Sequence, residues 1–334
     1  MERIGILGEG TWGMAMARML NNSGKAVTVW SALEREIEEY STTRRHPNLP
    51  GMVIPDDIVF TSDIATVCHN MDIVLFAVPS VFVRATAAQA RPFIPDGQII
   101  VDVAKGIEPD TLLFLTEVIR SEICADGGHD HVRYVALSGP THAEEVAQDL
   151  PTTIVSASTD RSAACRVQDV FMNTCLRVYT NGDVRGVELC GALKNVIALA
   201  AGISDGLGFG DNAKAAIITR GMAEIRRLGT AMGCQPQTFG GLAGIGDLVV
   251  TATSRHSRNN RAGNLMGQGV APMEAVKQVG MVVEGVNALP AAMALSKKYG
   301  VEMPIIAAVD AVVNGGGDPA QAIHWLMERA KKAE

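Results

Sequence analysis

Two hydropathy rhythms divide the chain. In the first half, short β-branched or apolar runs recur at residues 4–7, 26–30, 73–78, 99–103 and 134–137. Between several of them lie segments whose apolar positions repeat near every 3.6 residues, such as 14–20 and 112–123. Strand alternating with helix predicts parallel pairing through right-handed crossovers, and so a doubly wound sheet. Two more runs, 152–156 and 176–180, flank a helical stretch at 161–171 and are expected to extend that sheet. After Thr180 the rhythm changes. Long Ala-, Leu- and Met-rich stretches at 186–202, 213–232, 286–299 and 305–313 predict an all-helical second half. The turn-forming cluster Asn181-Gly182-Asp183 marks the expected seam, giving domains 1–182 and 183–334.

Composition narrows the class. The chain has 334 residues, 47% hydrophobic and 19% charged, enough apolar surface for two folded domains and too little polarity for disorder. Aromatic residues are only 4%, so the core must be built from Ala, Val, Ile, Leu and Met. A net charge of -7 argues against nucleic acid as a partner, because a phosphate backbone needs a basic face. The six cysteines form no C-x-x-C pair and read as free thiols of a reducing cytosol. The first strand begins at Arg3 and the first glycine motif at Gly8, leaving no room for a targeting peptide. The most apolar stretch, 189–203, contains Lys194 and Asn195 and is short for a bilayer span, so no membrane insertion is expected.

The first chemical motif is Gly8-Glu9-Gly10-Thr11-Trp12-Gly13, a G-x-G-x-x-G run directly after a strand and opening a helix. Gly8 permits the tight turn, Gly10 lets backbone approach a pyrophosphate, and Gly13 lets helix and strand pack closely. Placed within a βαβ unit, the motif predicts a Rossmann-type dinucleotide site, with Thr11 at the loop and Trp12 beside it. The second strand ends Trp30-Ser31-Ala32-Leu33 without the carboxylate that ordinarily binds the adenosine ribose of NAD, and without a basic residue suited to a 2′-phosphate. NAD and NADP both stay open.

Four further clusters place polar residues where composition predicts none. Lys105 follows the 99–103 strand at the sheet edge where ligands of such folds bind, and Ser138-Gly139-Pro140-Thr141 follows the 134–137 strand. Lys194 and Asn195 interrupt an otherwise apolar helical run, and a lysine buried there needs a partner or an altered pKa. Asp247 lies in a glycine-rich loop and could hold Lys194 by charge. Thr251 and then Ser257-Arg258-Asn259 follow, with a guanidinium fork suited to a phosphate. The one dense His/Asp group, Asp126 to His131, reads as a solvated turn, and no metal is expected.

The chain from about Arg3 to about Glu328 resembles the bacterial NAD(P)-dependent glycerol-3-phosphate dehydrogenases. The resemblance is carried by Ser138-Gly-Pro-Thr-His-Ala-Glu-Glu145, Gly191-Ala-Leu-Lys-Asn195, Gly208-Phe-Gly-Asp-Asn-Ala-Lys214, Gly244-Ile-Gly-Asp247, His256-Ser-Arg-Asn259 and Val283-Glu-Gly285. It implies reduction of dihydroxyacetone phosphate by NADH or NADPH for phospholipid synthesis, in a cytoplasmic homodimer. Lys194 is implied to be the general acid/base, with Asp247 orienting it. Lys105, Asn195, Thr251, Ser257, Arg258, Asn259, Gly139 and Thr141 are implied at the substrate. Ala143, Val283 and Glu284 are implied at the cofactor, together with Lys105 and Arg258. Thr11 and Ala104 stand where the family commonly has Ser, and Ala32-Leu33 replace a basic pair found in many members. Two alternatives remain from sequence: a related hydroxyacid dehydrogenase acting on a carboxylate, and a nicotinamide sensor without catalysis.

Overall fold

The structure is a computed structural model that describes residues 1–331. The chain forms two compact units: Met1–Lys105 with Leu113–Val184, and Gly106–Leu112 with the chain from Arg185 onward. Residues 106–112, which the hydropathy rhythm leaves in the first half, thus group with the second unit.

In the first unit the elements run β1 (Arg3–Leu7), α1 (Thr11–Asn22), β2 (Ala26–Trp30), α2 (Glu34–Thr43), β3 (Val59–Thr61), α3 (Ile64–Cys68), β4 (Ile73–Phe76) and α4 (Val83–Ala90). There follow β5 (Ile99–Asp102), α5 (Leu115–Ile123), β6 (Arg133–Ser138), α6 (Ala143–Val146), β7 (Thr152–Ala157), α7 (Arg161–Phe171) and β8 (Leu176–Asn181). They build an eight-stranded sheet in the order β3-β2-β1-β4-β5-β6-β7-β8. The order reverses direction between β1 and β4, which creates the crevice at the carboxyl ends of the strands. Side chains alternate across the sheet: Ile73 and Leu75 enter one core cluster, Val74 and Phe76 the other. Burial on both faces is why these strands read as continuous apolar runs rather than alternating ones.

Three local departures from the sequence expectations have physical causes. β7 pairs antiparallel with β6, since the intervening segment carries only the four-residue α6 in place of a full crossover helix. β3 is a three-residue strand, below the length at which periodicity can be read. The helix expected over 112–123 begins at Leu115, because Leu112 adopts a left-handed backbone with φ of 59°. Glu117 then accepts the Phe114 N–H at 3.0 Å and fixes the start of the helix.

The second unit is helical: α8 (Val184–Gly206), α9 (Asp211–Ala231), α10 (Pro236–Phe239), α11 (Asp247–Thr253), α12 (Arg258–Gly267), α13 (Pro272–Val279), α14 (Glu284–Tyr299), α15 (Pro304–Val313) and α16 (Pro319–Met327). A π-helical turn over Leu242–Gly246 leads into α11. α8 is apolar all round and buried from Gly186 to Ser204, which makes it the central helix of this unit. At 23 residues it is long and apolar enough to cross a bilayer, contrary to the length expected from 189–203, but its apolar window lies wholly inside the fold.

α12 lies directly against α8. A Cβ added at Gly202, Gly206 or Gly263 would come within 2.1 Å of the Asn260, Asn264 or Leu199 carbonyl oxygen respectively, and one at Gly267 within 2.3 Å of the Ile203 carbonyl oxygen. The two helices therefore touch backbone to backbone, a distance that only residues without a side chain allow.

A buried carboxylate fixes α15. Glu224 on α9 is 2% exposed and accepts the N–H groups of Ile305 at 2.8 Å and Ile306 at 3.3 Å, capping a helix that opens with Pro304. Burial pushes its carboxyl up to about 7, against the pull of those two N–H groups. A carboxyl raised above its ordinary value favours the folded state fully below about 4.5 and loses that contribution as pH rises through about 7. Glu224→Gln should therefore flatten the decline in thermal stability between pH 5 and 8, read as melting temperature against pH. Glu224→Ala, which leaves both N–H groups uncapped, should cost roughly 1–3 kcal/mol in urea denaturation.

Candidate active site

In the sheet unit the glycine loop is built as its sequence predicts. Gly8 has φ of 117°, its N–H donates to the Trp30 carbonyl at 3.0 Å, and a Cβ there would sit 2.8 Å from the Ala77 backbone. A Cβ at Gly13 would lie 2.3 Å from the Gly8 carbonyl oxygen, so loop and helix are in closest contact. Gly10 contrasts with both, as a Cβ there would meet nothing within 4 Å. Gly10 also caps α1 without any side-chain hydrogen bond, and the Thr11 hydroxyl has no protein partner. Open space before a helix N-terminus that no side chain caps fits a pyrophosphate. Trp12, on the first turn, packs against the core cluster.

At the neighbouring strand ends, the Lys105 Nζ donates to the Gly139 carbonyl at 3.1 Å, and the Thr141 hydroxyl donates to the same oxygen at 3.3 Å. Gly139 runs close to β7, where a Cβ would lie 3.1 Å from the Ile154 Cα. Lys105, Gly139 and Thr141 thus form one hydrogen-bonded group, with the buried Ser138 hydroxyl beside it lacking a protein partner. Ala143 opens α6 and is buried in the core cluster.

The helical unit brings a second set together. The Lys194 Nζ donates to Asp247 Oδ1 and to the Thr251 hydroxyl, both at 2.6 Å. Their exposures are 5%, 1% and 4%, so the ion pair is dry. The Thr251 hydroxyl donates in turn to the Asp247 carbonyl at 2.7 Å, one helical turn back, which points its lone pairs at the ammonium. Asp247 is the first residue of α11, where the helix dipole favours a negative charge. The preceding π turn aims it: Gly244 sits with φ of -91° and ψ of -105°, outside helical geometry, packed on the Phe239 backbone.

Next to Lys194, Asn195 takes part in a relay. Its Nδ2 donates to the Gly191 carbonyl at 3.2 Å, and its Oδ1 accepts from Asn259 Nδ2 at 3.0 Å. Asn259 Oδ1 then accepts the Gly285 N–H at 2.8 Å. The Val283-Glu284-Gly285 turn is thereby tied to α8 through two amides, and a Cβ on Gly285 would sit 2.6 Å from the Asn195 carbonyl oxygen. Asn259, implied at the substrate, has both ends of its amide engaged in this link. Ser257 caps α12 by accepting the Asn260 N–H at 3.2 Å, and Arg258 follows it, half-buried on the first turn.

Sequence reasoning missed what holds α12 in place. Asn260 donates to the Ala252 carbonyl at 3.0 Å and to Asp205 at 3.3 Å, and Lys214 pairs with Asp205 at 2.9 Å. The available signal was the glycine spacing itself, Gly202 and Gly206 against Gly263 and Gly267. Among the described residues, no group of three His, Cys, Asp or Glu side chains could hold a metal.

Two family models match the chain: the N-terminus of NAD-dependent glycerol-3-phosphate dehydrogenase over residues 3–164, and its C-terminus over residues 183–324. A Lactobacillus delbrueckii protein named glycerol-3-phosphate dehydrogenase (NAD(P)+) 2 is 67% identical, covering 100% of this chain and 99% of its own length. A Bacillus subtilis protein of the same name, without the numeral, is 48% identical over 100% of this chain and 96% of its own. Among solved structures, the glycerol-3-phosphate dehydrogenase of Coxiella burnetii superimposes with a TM-score of 0.92 at 36% identity, covering 98% of this chain and 99% of that one.

The buried pair generates a stability test. Asp247→Ala leaves an ammonium in an apolar interior without its carboxylate and should cost about 3–5 kcal/mol in chemical denaturation. The double variant Lys194→Met/Asp247→Leu removes both charges and should be less destabilised than Asp247→Ala alone. A double variant weaker than the single would show that the pair is not held together by charge.

Proposed function

The chain belongs to the NAD-dependent glycerol-3-phosphate dehydrogenase family, and on that premise we propose that it reduces dihydroxyacetone phosphate to sn-glycerol 3-phosphate, reversibly, with NADH or NADPH. The observation that carries the reading is the dry Lys194 ammonium clamped between Asp247 and Thr251 at 2.6 Å. The nicotinamide, when bound, supplies the hydride that carbon 2 of the substrate receives.

What remains for the protein is a proton and a charge. As the substrate carbonyl becomes an alkoxide, an oriented ammonium stabilises the negative oxygen and donates a proton to it; in the oxidative direction the neutral amine takes that proton back. Asp247 keeps the amine oriented and balances its charge, while Thr251 fixes a second N–H direction. Arg258, on the first turn of α12, carries the guanidinium that grips the phosphate in two parallel hydrogen bonds. A phosphomonoester, with a charge of about -1.5 to -2, offers that fork more charge than the single charge of a hydroxyacid carboxylate. Asn195 and Asn259 act here through the relay to Gly285, setting the position of Val283 and Glu284. The sheet-edge group Lys105, Gly139 and Thr141, with Ala143, keeps the substrate and cofactor roles that the family resemblance implies. Ser257 positions Arg258 by capping the helix it begins. Action in the cytoplasm, as a homodimer that feeds phospholipid synthesis, completes the reading.

In a steady-state assay with dihydroxyacetone phosphate, Lys194→Ala should lower turnover by about 10²–10⁴-fold while cofactor binding, followed by fluorescence titration, is retained. Near-normal turnover would remove Lys194 from the chemistry. Arg258→Ala should raise the KM for dihydroxyacetone phosphate by about tenfold or more, the loss of a charge-assisted hydrogen bond, and change the KM for the nicotinamide far less. Equal effects on both constants would count against its anchoring role. Absence of any dihydroxyacetone phosphate reduction by the wild-type protein would overturn the function itself.

A further inference from the structure

The exit of β2 lacks an acidic residue, yet two carboxyl groups meet there from other parts of the chain. The Gly8 N–H bonds to the Trp30 carbonyl and so holds the glycine loop alongside the end of β2. Glu9, the next residue of that loop, hydrogen-bonds through its side chain to Ser31, just past β2, and to Glu36 in the first turn of α2. Ser31 is 2% exposed, and its hydroxyl oxygen also accepts the Leu33 N–H at 3.0 Å. On the other side, the His46 ring donates to the Glu9 backbone carbonyl, while His46 Nδ1 accepts the Asn48 N–H at 3.2 Å. His46 stacks on Tyr40 with ring centroids 5.4 Å apart. Glu9 is therefore held at its backbone by a buried imidazole and at its side chain by a serine and a second carboxyl.

We propose that the Glu9–Glu36 carboxyl pair makes the enzyme select NAD(H) over NADP(H), by accepting hydrogen bonds from the adenosine ribose diol and repelling a 2′-phosphate. The proposal rests on the dinucleotide reading of the glycine loop given above. In a doubly wound fold the adenosine ribose lies at the end of the second strand, and the residue there decides between a hydroxyl and a phosphate. Ala32 and Leu33 leave that place without a side chain of either charge, and the loop and α2 supply one instead. A diol offers two donors to the acceptor oxygens of a carboxyl pair. A 2′-phosphate brings only acceptors and a charge of about -1.5 to -2.

The surrounding charges point the same way. α2 carries Glu34, Glu36, Glu38 and Glu39 against the single Arg35. Arg44, the next cation, spends its guanidinium on the Pro55 and Ile58 carbonyls at 3.3 and 3.0 Å and lies 3.7 Å from Asp56. Burial lowers the His46 pKa, so the imidazole facing the loop is a neutral donor near pH 7 and brings no positive charge. Burial, together with the facing Glu36, pushes the Glu9 carboxyl up to about 7. As pH rises through that value the Glu9 carboxyl ionises and adds a negative charge to the site. Selectivity against a 2′-phosphate should therefore rise with pH through neutrality, with Glu36, Glu39, Tyr40 and His46 as the titratable groups around Glu9.

Calorimetric titration of the full-length protein with NADH and with NADPH, in the absence of substrate, tests this. The wild type should bind NADH at least about tenfold more tightly than NADPH at pH 8, with a narrower ratio at pH 6. Glu9→Ala/Glu36→Gln should close that ratio by at least about tenfold, chiefly through tighter NADPH binding, and should reduce its pH dependence to what titration of the 2′-phosphate itself produces. Glu36→Gln alone, the milder change, should act in the same direction. Equal wild-type affinities, or variants that weaken both cofactors alike, would overturn the proposal. Discrimination without any turnover of dihydroxyacetone phosphate would sink the proposed reaction and leave the selectivity standing. Turnover with NADPH as efficient as with NADH would do the reverse. A protein that binds neither dinucleotide would end both.

Discussion

An ammonium in an apolar helix interior is tolerable only when a carboxylate reaches it and its hydrogen bonds are satisfied. Much of the helical unit is organised around meeting that condition for Lys194. α8 carries the lysine in its most buried stretch, so the partner must come from another element. Asp247 arrives at the first turn of α11, aimed by a π turn whose glycine packs on the Phe239 backbone, and Thr251 closes the cluster from one turn further along. Each becomes intelligible once the charge has to be kept dry and held in one direction. The same logic carries over to α12, which brings Arg258 and Asn259 to the neighbouring face of α8 and is locked there by the amide relay to Gly285.

The alternation of β-branched runs and helical stretches was enough to read the doubly wound sheet, because both faces of β1, β4 and β5 are buried and leave an unbroken apolar signal. Elements at the margins were not legible. β3 is too short for a period to register, and the reversed direction of β7 depends on how residues 139–151 fold rather than on which residues β7 contains. Leu112 shows a different limit: its apolar spacing fits a helix, but a left-handed backbone at that residue delays the helix to Leu115. α8 runs past the expected stretch 186–202 because Val184-Arg185 and Ser204 to Gly206 mix polar and small residues into a helix that packing, not hydropathy, extends.

In the site, Lys194 and Asp247 stood out because polar residues among apolar or glycine-rich neighbours demand a partner, and each is the other's. Asn259 carries a contact that its place in the sequence does not announce. The family resemblance implies it at the substrate beside Arg258, and its amide spans from Asn195 to Gly285. Glu9 was passed over for a related reason: the glycine template treats the residue between Gly8 and Gly10 as free, and its meeting with Ser31, Glu36 and His46 exists only after the sheet has formed.

The crossing of α8 and α12 has a further consequence. Where helices rest on each other through side chains, their separation shifts whenever a neighbouring residue changes size or rotamer. Here main chain lies on main chain at two glycines on each helix, so the spacing is set by backbone contact, like a mechanical stop. The interval between the helix bearing Lys194 and the helix bearing Arg258 is thereby fixed by backbone rather than by the rotamers of the Ala, Leu and Val side chains around it. A ruler made of main chain keeps its length when the side chains beside it are exchanged.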